Sequence, residues 1–135
     1  MPSLRELVWE RARGCCECCQ LPQSLTILPH ELDHIVAQQH HGPTDLENLC
    51  LACALCNAHK GPNLTGMDLE SSQIVRLFHP RRDRWSEHFR WNGAALEALT
   101  DVGRVTIEVL LINDPARVAV RAMSMQAGLF PPIRG

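Results

Sequence analysis

This 135-residue sequence has no apolar run long enough to span a bilayer, no low-complexity tract, no internal repeat and no block of like charge. Those absences exclude a helical membrane protein and a mostly disordered tail or linker. The N-terminal stretch MPSLRELVWERARG lacks the apolar core and small-residue cleavage site of a secretory leader, so a cytoplasmic protein is expected. There is no excess of positive charge. The net charge is −2, and bulk electrostatics therefore gives no argument for nucleic-acid binding. Residues 1–60 hold four Lys or Arg against seven Asp or Glu, and residues 61–135 hold nine against eight. Lysine is nearly missing: Lys60 stands alone beside twelve arginines, a bias that suits phosphate contacts but that codon usage explains as well. Aromatics are scarce, with three Trp and three Phe.

Cysteine is what the sequence has in plenty. All seven lie between Cys15 and Cys56, in two tight clusters. In a cytosolic chain such clusters are more often metal sites than disulfides, and an odd count fits a fully paired scaffold poorly. Two Cys-x-x-Cys pairs about 35 residues apart can bring four thiolates onto one tetrahedral zinc. Spacing leaves Cys15/Cys18 and Cys16/Cys19 both open in the first cluster. In the second, Cys53/Cys56 is favoured over Cys50/Cys53 because it sets the pair at the mouth of a short helix.

Ser3, with Glu6 three residues on, predicts a capped helix that stops near Gly14. Residues 25–28 and 32–36 read as two short strands around a turn at Pro29-His30. Residues 37–47, with Gly42-Pro43, read as a loop. Leu49–Leu51 reads as a short strand, and Ala54 to about Lys60 as a short helix closed by Gly61-Pro62. Asn92-Gly93 ends an Arg- and aromatic-rich hairpin. Thr100 and Asp114-Pro115 open two further helices, to about Leu111 and about Ala127.

Between the cysteine clusters run Asp33-His34-Ile35, a Gly-containing loop, Asn48-Leu49, then Cys53-x-x-Cys56-Asn57-x-x-Lys60-Gly61. In that order and spacing, over roughly residues 16–63, the sequence resembles an HNH endonuclease. NAHKGPN and FHPRRDRWSEHFRW also resemble a bacterial subgroup of these proteins. The resemblance implies structural zinc on Cys16, Cys19, Cys53 and Cys56, and a catalytic divalent ion such as Mg²⁺ or Mn²⁺. It implies double-stranded DNA as the partner, although no residue excludes RNA. A protein partner or homodimer is left open.

Phosphodiester hydrolysis needs a base to activate water and a cation to stabilise charge on phosphate. His34 is the candidate base. Asp33 is a hard oxygen ligand. Asn48 is expected to orient His34 through a hydrogen bond. Asn57 stands at the family's third metal position, with His59 as the alternative. The two lie about 200° apart around a helix, so both would not face one ion. Lys60 is a candidate phosphate contact or a charge at a helix C-terminus. Arg81, Arg82 and Arg84, interleaved with Trp85, Phe89 and Trp91, are candidate nucleic-acid contacts. The competing reading has those aromatics in a core and the arginines paired with Asp83 and Glu87.

The expected fold is α+β. A zinc-stabilised ββα core with an N-terminal helix occupies 1–66, and an α-helical extension occupies 67–135, packed with the core as one unit. The expected function is metal-dependent hydrolysis of nucleic-acid phosphodiesters. The alternatives are a non-catalytic zinc-ribbon module and a nuclease subunit that needs a partner.

Overall fold

The computed structural model describes residues 1–132, which divide into two compact units, Met1–Pro62 and Asn63–Phe130. No helix among them is long and apolar enough to cross a membrane. The architecture is mixed: short helices and antiparallel two-stranded sheets.

In the first unit, α1 spans Leu4–Ala12. Ser3 caps it, its hydroxyl accepting from the Glu6 amide at 3.1 Å. It closes on Arg13 in the left-handed region (φ 56°). The strand expected over 25–28 does not form. Gln23–Leu25 make one 3-10 turn instead, and the Gln23 side chain supplies the hydrogen bonds a ladder would have given. It donates to the carbonyls of Thr26 and Leu28 and accepts from His30 N–H. Strand β1, Glu31–His34, pairs antiparallel with β2, Leu49–Ala52, placing Asp33 opposite Cys50 and His34 opposite Leu49. Helix α2, Ala54–Lys60, follows directly.

Alternation along β2 decides what each face of this small sheet meets. Leu49 and Leu51 point one way and pack with Val8 and Ala12 of α1, with Trp9, Leu32 and Leu46 around them. Each such leucine, fully buried, is worth roughly 1.5–3 kcal/mol. Arg11 fastens α1 to the sheet by donating to the carbonyls of Leu46 (2.9 Å) and Leu49 (2.7 Å). The other face, carrying Glu31, Asp33 and Cys50, meets α2.

The second unit begins with a hairpin the sequence did not announce: β3, Thr65–Asp68, with β4, Gln73–Arg76. The one-turn helix α3, Trp85–His88, leads into a second hairpin, β5 (Phe89–Asn92) with β6 (Ala95–Ala98). The turn at Asn92-Gly93 is where the sequence put it, and Gly93 has φ 58°. Helix α4, Asp101–Val109, is capped by Thr100, and α5, Pro115–Gln126, by Asp114. Gly66 of β3 lets this hairpin lie close on α4, since a Cβ there would sit 2.6 Å from Val109 and 2.8 Å from Val105.

Candidate functional site

Four cysteine sulfurs, of Cys16, Cys19, Cys53 and Cys56, lie within 4.8 Å of one another, all buried. The first pair sits in a tight turn, with Gln20 at φ 67° and its amide donating to the Cys16 carbonyl at 2.9 Å. The second pair opens α2, where Cys53 caps the helix and accepts from the Cys56 amide at 3.4 Å. Cys19 and Cys53 are 3.7 Å apart. A tetrahedral ion with Zn–S bonds of about 2.3 Å has sulfur–sulfur edges of about 3.8 Å, so the arrangement fits zinc. Burial pushes the Cys16 thiol up, but hydrogen bonds from Cys18, Cys19, Cys53 and Cys56 outweigh it and hold the thiol well below its usual range. Cys19 and Cys56 are driven well above theirs, chiefly by their hydrogen bonds to Cys16. Four thiolates this close need a cation to share.

The register left open by spacing is thereby fixed at Cys16 and Cys19. The remaining cysteines have other neighbours. Cys15 donates to the Arg13 carbonyl at 3.6 Å, and Cys18 bonds to Cys16. Cys50, across the sheet register from Asp33, donates to the Asp33 carboxylate at 3.7 Å.

Asp33 is 8% exposed and lies beside the ammonium of Lys60 at 3.1 Å. Burial pushes its carboxyl above the ordinary aspartate value, and Lys60, Cys50 and His34 offset that only in part. A hard cation would stabilise such a carboxylate further. His34, the last residue of β1, presents its imidazole to the adjoining loop, where Nε2 hydrogen-bonds Thr44 Oγ1 at 2.9 Å.

Helix α2 supplies the rest. Asn57 and Lys60, one turn apart, share a helix face, as Glu31 and Asp33 share a strand face. Lys60 reaches Asp33, and the Asn57 amide donates to the Glu31 carboxylate. His59 is exposed, off that face.

One sequence expectation needs correction. Asn48 does not hold His34: its Oδ1 accepts from Val36 N–H at 2.9 Å, and its Nδ2 donates to the carbonyls of Val36 (2.9 Å) and Pro43 (2.8 Å). These bonds tie Val36 and Pro43 together across the 37–47 loop, and Thr44 of that loop meets His34. Lys60, read as a phosphate contact or a charge at a helix C-terminus, is the last residue of α2 and turns inward. It is 8% exposed, because its ammonium is held by Asp33 and by the His34 carbonyl at 3.1 Å.

Thr44, Glu31 and Cys50 were missed. Thr44 stands ten residues from His34 in a loop, where no spacing rule reaches. Glu31 and Cys50 were legible in principle: Glu31 is two residues from Asp33 on a strand, and Cys50 is the cross-strand neighbour.

With this geometry in view, residues 16–63 match the family model described as HNH endonuclease. Over that segment the chain is similar to HNH endonucleases. No curated protein and no solved structure matches the chain. The HNH match takes in the cysteine cluster, β1, β2 and α2, and ends at the boundary between the two units.

Outside the HNH segment, the aromatics of the Arg-rich stretch pack. Phe78 meets Phe89 edge-on at 5.3 Å, Trp85 contacts Phe89 and Trp91, and Trp91 meets Phe130. Asp83 is paired, but with Arg76 of β4 at 2.7 Å, and Arg90 pairs with Glu97. Arg81 is half-buried, whereas Arg82 and Arg84 are exposed.

Proposed function

We propose that this chain is a metal-dependent HNH endonuclease that hydrolyses phosphodiester bonds, with double-stranded DNA as substrate. The observation that carries the reading is a buried carboxylate, Asp33, tied to Lys60 of α2 and followed along the chain by an imidazole, His34, which ends the strand. A binding module has no use for that pair.

In this reading Asp33 and the amide oxygen of Asn57 hold a divalent ion, Mg²⁺ or Mn²⁺. Such an ion supplies charge stabilisation at the phosphate and the leaving oxygen. Asn57 is preferred to His59 because its side chain lies on the α2 face that meets β1. His34 takes the proton from the attacking water. With Nε2 engaged by Thr44, Nδ1 is the nitrogen offered to that water. The new P–O bond forms as the bond to the leaving oxygen breaks, and the leaving oxygen takes up a proton. Arg82 and Arg84, exposed, serve as phosphate contacts.

Supercoiled plasmid, incubated with purified protein with and without Mg²⁺ or Mn²⁺, tests this beside His34→Ala. Metal-dependent nicking that disappears in the variant is expected. Zinc-loaded, folded protein that cuts under no metal overturns it and favours a binding module or a subunit that needs a partner, the latter in keeping with the net charge of −2.

A further inference from the structure

Glu31 precedes Asp33 by two residues on β1 and shares its face of the strand. Its carboxylate accepts a hydrogen bond from Asn57 Nδ2. A side-chain amide has two ends of nearly equal size and opposite character: an NH₂ that repels a cation and an oxygen that binds one. Left alone at a helix surface, Asn57 would sample both orientations. An ionised carboxylate accepts and never donates, so it admits only the NH₂ end. The Asn57 oxygen is then held on the side away from Glu31.

The geometry points to Glu31 as a positioning residue for the divalent ion. It fixes the amide of Asn57 so that oxygen rather than nitrogen faces the ion. This rests on the assignment of Asn57 as a ligand proposed above. Glu31 is exposed, so its own charge is screened by solvent and adds little at a distance. Its effect runs through the hydrogen bond. Outer partners that orient metal ligands typically change affinity by 10–100-fold when removed. Glutamine in its place can offer Asn57 either end of its own amide, so it loses the orientation along with the charge, and it is the Asn57→Ala background that separates orientation from electrostatics.

The test is Mn²⁺ binding to the full chain, followed by the loss of the free-ion EPR signal, in wild type, Glu31→Ala, Glu31→Gln, Asn57→Ala, Asp33→Ala and the Glu31→Ala/Asn57→Ala pair. Mn²⁺ prefers oxygen ligands and leaves a thiolate site alone. Glu31→Ala should weaken Mn²⁺ binding about tenfold, with zinc content and melting temperature unchanged. Glu31→Gln should weaken it as well, and the double variant should bind no worse than Asn57→Ala. Wild-type affinity in Glu31→Ala, with Asn57→Ala weakened, overturns the role of Glu31 alone. A double variant that binds more weakly than Asn57→Ala also overturns it, since charge or direct ligation would then be at work. Unchanged binding in Asn57→Ala and Asp33→Ala together overturns the proposed ion site, and the inference with it.

Discussion

The Lys60 ammonium lies 3.1 Å from the Asp33 carboxylate, with both side chains about nine-tenths buried. Asp33 therefore has a cationic neighbour supplied by the last residue of α2. Removing one member of such a pair leaves an uncompensated buried charge. Lys60→Met should destabilise the protein by about 3 kcal/mol, whereas Asp33→Asn/Lys60→Met should recover most of that. The pH dependence has a definite sign. The folded carboxyl is already raised by burial, and losing Lys60 raises it further. A raised group is favourable below its unfolded value and unfavourable above it, so the Lys60→Met deficit should grow as pH rises from acid to neutral. Urea unfolding at several pH values measures this; a deficit independent of pH would show that Asp33 is not the group affected.

The cysteine cluster makes a sharper compositional prediction. Purified protein should carry one zinc per chain. Serine at 16, 19, 53 or 56 should reduce it, while serine at 15 should not, because Cys15 lies outside the cluster of four sulfurs. Elemental analysis decides between the sets. Since thiolates are the ligands, chelation or acidification should release the ion and unfold the segment around α2. Zinc retained after Cys16→Ser or Cys56→Ser, or lost after Cys15→Ser, would overturn the assigned register.

Gly42 and Asn48 together shape the loop that carries Thr44. A Cβ on Gly42 would stand 1.7 Å from the Val36 carbonyl oxygen, and that same oxygen accepts from Asn48 Nδ2. Gly42→Ala therefore has no small adjustment open to it, and should destabilise by at least ~2 kcal/mol. Asn48→Asp replaces both donors with acceptors facing the Val36 and Pro43 carbonyls, at about 3 kcal/mol. Thermal unfolding reads both. A catalytic role for Asn48 without a structural one would instead leave stability intact and lower only turnover.

The part of this site that sequence could show was set by covalent spacing. Cysteine pairs at i and i+3, a cap before a helix and adjacent Asp33-His34 are local, and the ββα segment follows from them. What failed was satisfied across space by a side chain whose reach no periodicity records. Gln23 took the hydrogen bonds that would have made 25–28 a strand, and Asn48 took those of the loop, leaving His34 to Thr44. The β3–β4 hairpin was missed for a related reason. Its alternation is weak, Met67 and Ile74 being exposed, and Gly66 is read locally as a breaker although it permits close packing on α4.

Thr44 should matter to proton transfer. Thr44→Val keeps the shape and removes the hydrogen bond to His34 Nε2. If His34 acts as base through Nδ1, turnover should fall about tenfold, with metal affinity unchanged and the acid limb of the pH–rate profile displaced. A Thr44→Val protein with wild-type rate and profile would show that another contact orients the ring.

Asp68 gives the second unit its acid sensitivity. Its carboxylate accepts from Arg104 Nε at 3.1 Å and Nη2 at 3.0 Å, from Ser71 Oγ at 2.8 Å and from Glu70 N–H at 3.3 Å. These bonds, the Arg104 guanidinium foremost, hold its carboxyl well below the usual carboxylate range. A folded value below the unfolded one means the carboxylate contributes its full stability above the ordinary aspartate pKa of about 3.9 and loses it as pH falls through the folded value. Asp68→Asn mimics the protonated group. It should melt below wild type at pH 7, and the gap should narrow as pH drops below about 4. The comparison is between two proteins that share the same cysteine cluster, so acid loss of zinc cancels from the difference. Arg104→Met should behave as Asp68→Asn does. A melting-temperature gap that stays constant from pH 7 to pH 3 would show that Arg104 and its neighbours do not hold Asp68 as a carboxylate.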